Sequence, residues 1–174
     1  MTIPGSRYSS ALLERSWLDT RTPVVHSWQD ILSELRDPIR SIDLSLDFVR
    51  HGETMLNAAN LVTGRQDVSL SARGVAQARS AALSLRSAYD VAWSSTLRRS
   101  KETLDLMLSS GPLRVEARFV DARLDERSLG DLEGKPSVNI DAYARGDFRY
   151  APPGGESFLI VTQRALSFIL DLAH

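Results

Sequence analysis

Leu46-Asp47-Phe48-Val49-Arg50-His51-Gly52-Glu53-Thr54 is the stretch on which the fold turns, with Asn57 three residues beyond it. Its first half is apolar, β-branched and aromatic, so it reads as a buried strand. The run breaks at Gly52, directly after an arginine and a histidine. A strand that ends on charged side chains followed by glycine is what an open α/β sheet shows at its carboxyl edge, where ligands bind. Arg50 offers a rigid fork of donors matched to phosphate or carboxylate. His51 can act as a nucleophile if a neutral ring nitrogen faces the ligand. The dipeptide alone also fits an exposed pair at a strand end, so the surrounding sequence has to decide.

Downstream, residues 53–60 read as a short helix or loop and 63–67 as a turn. Ser71 is placed to cap a helix running to 87, with Val75, Ala78, Ala82 and Leu85 at helical spacing. Residues 90–94 read as a second buried strand that delivers Ser94 and Ser95. A helix over 96–108 and a third strand over 113–119 follow. Strand, helix, strand, helix, strand is a parallel α/β pattern. Residues 121–157 are polar and punctuated by Gly and Pro, with a helix expected over 138–144. So long an irregular stretch within a domain is either disordered or part of a binding site, and this one contains Glu126 and Glu156. An apolar helix over 157–172 follows, carrying Phe158, Val161, Ala165, Phe168, Ile169 and Leu172.

Upstream, residues 1–43 form an N-terminal extension in which helices are expected over 10–18 and 28–36. Ser27 stands as N-cap with Asp30 three residues on, Ile31, Leu32 and Leu35 face inward, and Pro38 ends the second helix. Trp17 and Trp28 favour packing on the domain over a solvated tail; dimerisation and disorder remain alternatives.

The 174 residues suit one domain with a single core. At 43% hydrophobic and 25% charged, the composition is that of a globular protein. A formal net charge of −1 gives no electrostatic reason to expect nucleic acid or an anionic membrane as a partner. There is no cysteine, which excludes disulfides and thiolate chemistry. No apolar run approaches the ~18 residues of a membrane span, and the amino terminus lacks the apolar core of a signal peptide. A cytoplasmic location is expected.

The longer string Arg50-His51-Gly52-Glu53-Thr54-x-x-Asn57 resembles the opening signature of the histidine phosphatase superfamily, which includes the cofactor-dependent phosphoglycerate mutases. Four later stretches match in order: Thr63-Gly64-x-x-Asp67-x-x-Leu70-x-x-x-Gly74-x-x-Gln77-Ala78, Ser94-Ser95-x-Leu97-x-Arg99-x-x-x-Thr103, Leu124-x-Glu126-x-x-x-Gly130-x-x-Glu133-Gly134, and Pro153-Gly154-Gly155-Glu156-Ser157. The resemblance implies a three-layer α/β sandwich with a mostly parallel sheet and helices on both faces, carried by residues 44–174. It implies His51 as the nucleophile that becomes phosphohistidine, and Glu126 as proton donor and then base. Arg50, Asn57 and Arg99 would bind the phosphoryl oxygens, while Thr63, Gly64 and Arg127 would border the substrate. Asp67, Gly74 and Gln77 are read as structural. No cofactor or metal is expected, and the partner is a small phosphorylated molecule. A phosphatase is favoured over a mutase, because mutases follow the acid with Glu-Arg-His-Tyr and the run here is Glu126-Arg127-Ser128-Leu129.

The resemblance also implies a second active-site histidine on a strand beyond the last helix. The histidines present are His26, His51 and His174. His174 follows the apolar helix directly, with no room for a strand of ~5 residues. The domain is therefore expected to be C-terminally incomplete and to lack its last strand: a fragment, a split enzyme, or a degenerate member. His26 as a substitute, a homodimer, a complementing C-terminal fragment, and a non-catalytic phosphate-binding or interaction module stand as alternatives.

Overall fold

Thr54 and Asn57 open the regular structure of the computed structural model, which describes residues 45–137 and 148–172. Thr54 Oγ1 accepts from Asn57 N and Asn57 Oδ1 from Thr54 N, each at 3.1 Å. This reciprocal capping box starts the short helix α1, Met55–Ala58. Ser71 does the same for α2, Ala72–Ala81, its Oγ accepting from Gly74 N at 3.1 Å. The helix tightens into a 3-10 turn over Ala82–Ser84, short of the expected end at 87, because Leu85 is extended.

Strand β1, Ala88–Ser94, pairs in parallel with β2, Arg114–Val120, in a register running from Ala88 opposite Arg114 to Ser94 opposite Val120. The connection is α3, Arg98–Ser110, as a parallel pair requires. Trp93 and Phe119, partners in the ladder, stack with ring centroids 4.8 Å apart. Ala82, Met107 and Leu113 form a buried cluster, with Leu85, Tyr89 and Leu108 packed on it. Arg99, Thr103 and Met107 recur every four residues on the buried face of α3, so the face that packs the core also carries a site candidate. Helix α4, Phe158–Leu172, matches the apolar pattern near the end of the sequence. Residues Asp47–Val161 form one compact unit, and the last turns of α4, from Thr162, fall outside it. No helix among the described residues is long and apolar enough to cross a membrane.

Helix α3 has no side-chain cap from its own flank. Distant carboxylates supply one: Asp67 Oδ1 accepts from Arg98 N at 2.6 Å, and Asp125 Oδ1 from Thr96 N at 2.8 Å. Negative charge at a helix start satisfies orphan N–H groups and suits the helix dipole.

The structure corrects one expectation directly. Residues 45–50 are not in a strand, and Leu46, Phe48 and Val49 are 40%, 77% and 42% exposed. A buried parallel strand needs ladder partners and covered faces, and among the described residues the sheet consists of β1 and β2. The run is tied instead by side chains, with Tyr89 Oη donating to Asp47 Oδ2 and Arg86 Nε 3.4 Å from the same oxygen. Strand β1 is likewise less buried than expected; its buried residue is Ser94, at the carboxyl end. The expected helices over 10–18, 28–36 and 138–144, with His26 and His174, lie outside the described residues.

Helix α2 touches the backbone beside His51. A Cβ added to Gly74 would lie 2.0 Å from Glu53 O, and one added to Gly52 would lie 2.3 Å from Gly74 O. Alanine in a helix interior normally gains about 1 kcal/mol over glycine, but overpacking against backbone costs about 1–3 kcal/mol. At these distances the clash wins. Gly74→Ala is expected to destabilise the protein by about 2 kcal/mol, read as a lower urea midpoint at unchanged slope.

Candidate active site

His51, directly before Gly52, is half-buried. His51 Nδ1 lies 2.7 Å from Gly52 O. A carbonyl oxygen only accepts, so Nδ1 carries the ring proton and Nε2 keeps its lone pair. Burial pushes the His51 pKa below its ordinary value; the Gly52 carbonyl opposes this, Arg99 and Arg50 lower it further, and Glu126 raises it. The ring is therefore neutral at pH 7, the state a nucleophile needs.

Above pH 6.5 both folded and unfolded chains hold His51 neutral. As pH falls from there toward the lower native value, the unfolded chain takes up a proton that the folded chain refuses, so stability drops and then levels off. His51→Asn is expected to abolish that part of the acid-side slope, measured as urea midpoints across pH 4–8 for both proteins.

Arg99 is 1% exposed. Its Nη1 donates to Gln66 O at 2.9 Å and its Nη2 to Gly64 O at 2.7 Å, which fixes the plane of the guanidinium. Gly64 can offer its carbonyl there because it adopts φ +50, and a Cβ on it would lie 2.2 Å from Glu133 Oε1. Burial lowers the Arg99 pKa, and Glu126, Asp67, Asp125 and Glu133 pull it back up. The Glu126 carboxylate thus acts on both His51 and Arg99, which brings the three into one electrostatic neighbourhood.

Asn57 closes the α1 cap, and its Nδ2 donates to the buried Thr63 Oγ1 at 3.1 Å. Both side-chain ends of Asn57 are thus engaged in the fold. Arg50 is exposed. Arg50, His51 and Asn57 line a cavity of about 520 Å³ together with Asn60, Gln77 and Ser137, among others. Thr63, Gly64, Arg99, Glu126 and Arg127 are not part of that lining.

The exposed Glu126 is held from behind. Its Oε1 accepts from Arg127 N at 3.0 Å. Arg65 Nε donates to Glu126 O at 3.0 Å, and Arg65 Nη2 pairs with Glu156 Oε1 at 2.9 Å. Glu156 Oε2 accepts from Ser128 N at 2.9 Å, while Glu133 Oε1 accepts from Arg65 N at 3.0 Å and Leu129 N at 2.9 Å. Arg65, Glu133 and Glu156 therefore bind the loop after Glu126 to the turn that holds Arg99. The sequence reading assigned none of them a role, though Glu133 and Glu156 stand beside the glycines of its motifs. Arg127, expected at the substrate, is 5% exposed. Its Nε donates to Glu156 O at 2.7 Å and its Nη2 to Tyr150 O at 2.9 Å, and its guanidinium lies 3.9 Å above the Phe158 ring. In this position Arg127 clamps the loop over 150–156. Among the described residues no group of three or more His, Cys, Asp or Glu is arranged to hold a metal ion.

A parallel α/β unit with a neutral histidine followed by glycine, a buried arginine and a carboxylate acting on both defines a class. Residues 46–174 match the histidine phosphatase superfamily (branch 1), and the chain belongs to that superfamily. It is 34% identical over 141 residues to a 2,3-bisphosphoglycerate-dependent phosphoglycerate mutase of Azorhizobium caulinodans, covering 75% of this chain and 68% of that one. With the enzyme of the same name from Bradyrhizobium diazoefficiens it shares 36% over 137 residues, covering 72% and 66%. Among solved structures it is similar to a mycobacterial glucosyl-3-phosphoglycerate phosphatase in complex with VO3, at 36% identity and a TM-score of 0.60, covering 71% of this chain and 61% of that one. The chain thus spans less than two thirds of the second mutase and of the solved phosphatase.

Proposed function

We propose that the protein hydrolyses phosphomonoesters of small metabolites through a phosphohistidine on His51, without a metal. The observation that carries this reading is the 2.7 Å contact of His51 Nδ1 with Gly52 O, because it puts the ring proton on Nδ1 and so makes Nε2 the attacking atom of the neutral ring that burial favours. In the first step the Nε2 lone pair bonds to phosphorus, the ester P–O bond breaks, and the leaving oxygen takes a proton from Glu126. In the second, water attacks phosphorus, the Glu126 carboxylate takes its proton, and the N–P bond breaks to return the lone pair to Nε2. Covalent capture divides one hard displacement into two easier ones, and the acid contributes about 10²- to 10⁴-fold. Arg50 and Arg99 supply positive charge for the equatorial oxygens, where phosphoryl transfer needs it.

The names of the two relatives favour a second reading, phosphoryl transfer between positions of a phosphoglycerate. Against it stands Glu126-Arg127-Ser128-Leu129, where Ser128 and Leu129 replace the His-Tyr that the resemblance associates with mutases. The deciding experiment is release of p-nitrophenol from p-nitrophenyl phosphate in the presence of EDTA, run beside interconversion of 3- and 2-phosphoglycerate. Ester hydrolysis without interconversion is expected. Interconversion would favour the mutase. A folded protein that binds vanadate yet turns over neither substrate would overturn both in favour of a phosphate-binding module.

A further inference from the structure

Two side chains from two helices grip the peptide units on either side of Gly52. The N–H of Gly52 donates to the buried Thr103 Oγ1 at 3.1 Å, and that hydroxyl donates onward to Arg99 O at 2.7 Å. The N–H of Glu53 donates to Gln77 Oε1 at 2.8 Å. This second peptide unit is the one whose carbonyl, Gly52 O, receives the His51 Nδ1 proton. The N–H and C=O of one peptide polarise each other, so an acceptor on the N–H strengthens the carbonyl as an acceptor. Ser71 N, donating to Glu53 O at 2.8 Å, pins the following unit. Gln77 lies one helical turn beyond Gly74, whose close approach brings α2 against this backbone.

We propose that Gln77 is a positioning residue for His51: through the Gly52–Glu53 peptide it selects the ring tautomer that leaves Nε2 free to attack. A glutamine on a helix surface ordinarily does no more than meet solvent. This one is exposed and lines the His51 cavity, but its carbonyl oxygen is committed to the N–H of the peptide that orients the ring. The kinetic consequence rests on the reading of His51 as phosphoryl acceptor; the tautomer does not.

The test uses imidazole ¹⁵N NMR on the full chain, which has three histidines, with His51→Gln to assign the signal. The wild type is expected to show the Nδ1–H tautomer at His51 above its titration. Gln77→Leu should give a mixture of tautomers and lower kcat, by no more than the about 10- to 100-fold seen when a metal-binding histidine loses its direct outer partner. Gln77→Glu keeps an acceptor in place and should restore the Nδ1–H tautomer, while its added charge in the cavity keeps it out of the kinetic comparison. Gln77→Asn, one methylene shorter, withdraws the acceptor with little change in apolar surface and serves if the leucine variant unfolds. An undiminished Nδ1–H population in the folded leucine or asparagine variant overturns the proposal, as does failure of Gln77→Glu to restore it. A tautomer shift in a protein whose wild type has no turnover upholds the role of Gln77 and counts against the hydrolase reading.

Discussion

His51→Ala is expected to reduce phosphomonoester turnover by at least about 10⁴-fold, the scale on which removal of a covalent nucleophile acts. The loss should fall on kcat, since Arg50 and Arg99 remain to attract the phosphate. The variant should also fail to retain radioactive phosphate from a labelled ester after denaturation in alkali, where the N–P bond of the wild-type intermediate survives. Little stability should be lost, because the ring is half-buried and its Nδ1 bonds to the adjacent residue. A variant that folds and still turns over would remove His51 from the mechanism, however well the rest of the site is preserved.

Arg99→Met is the second large effect, and it should appear in both stability and activity. Methionine fills much of the volume but donates nothing, so the Gly64 and Gln66 carbonyls that Arg99 now satisfies lose their donors. A buried acceptor left unpaired, as Gly64 O would be, costs about 1–3 kcal/mol, and the half-buried Gln66 O less, against a domain's total of about 5–15 kcal/mol. The positive charge beside His51 goes as well, which should lower kcat/KM by about 10²- to 10³-fold. Arg99→Lys keeps the charge, but a single ammonium on a flexible stem cannot reproduce the planar fork that spans both carbonyls. It should recover part of the activity and less of the stability. Urea denaturation beside kinetics separates the two. An Arg99→Met protein with wild-type stability would show that the two carbonyls find other donors.

The elements were legible in the sequence where the cause of the structure is local. Ser71 as a helix cap, the 3.6-residue spacing of α2 and α3, and the apolar pattern of α4 each depend on neighbours within a few turns. Gly64 was legible as part of a turn, and it adopts a positive φ there. The close approach of the Gly52 and Gly74 backbones joins distant parts of the chain and was not legible. The strand expected over Leu46–Arg50 failed because a strand is not a local object. An apolar, β-branched run states a preference, and only a neighbouring strand with its ladder can satisfy it.

By itself, then, the sequence determined the superfamily, the parallel β-α-β core and the residues that carry candidate chemistry, because motif order and helical period are written along the chain. Tertiary structure alone decided how those residues are held. Asp67 caps a helix that begins 31 residues later, and Arg65 reaches Glu156 across 91. Arg127 is turned into a buried clamp by the carbonyls of Tyr150 and Glu156. The state of His51 was decided in the same way. Its tautomer follows from a carbonyl next door, and its neutrality from burial and from the charges of Arg99 and Arg50, against the opposing pull of Glu126. Desolvation and Coulomb interaction depend on distance in space, and that distance exists only once the chain has folded.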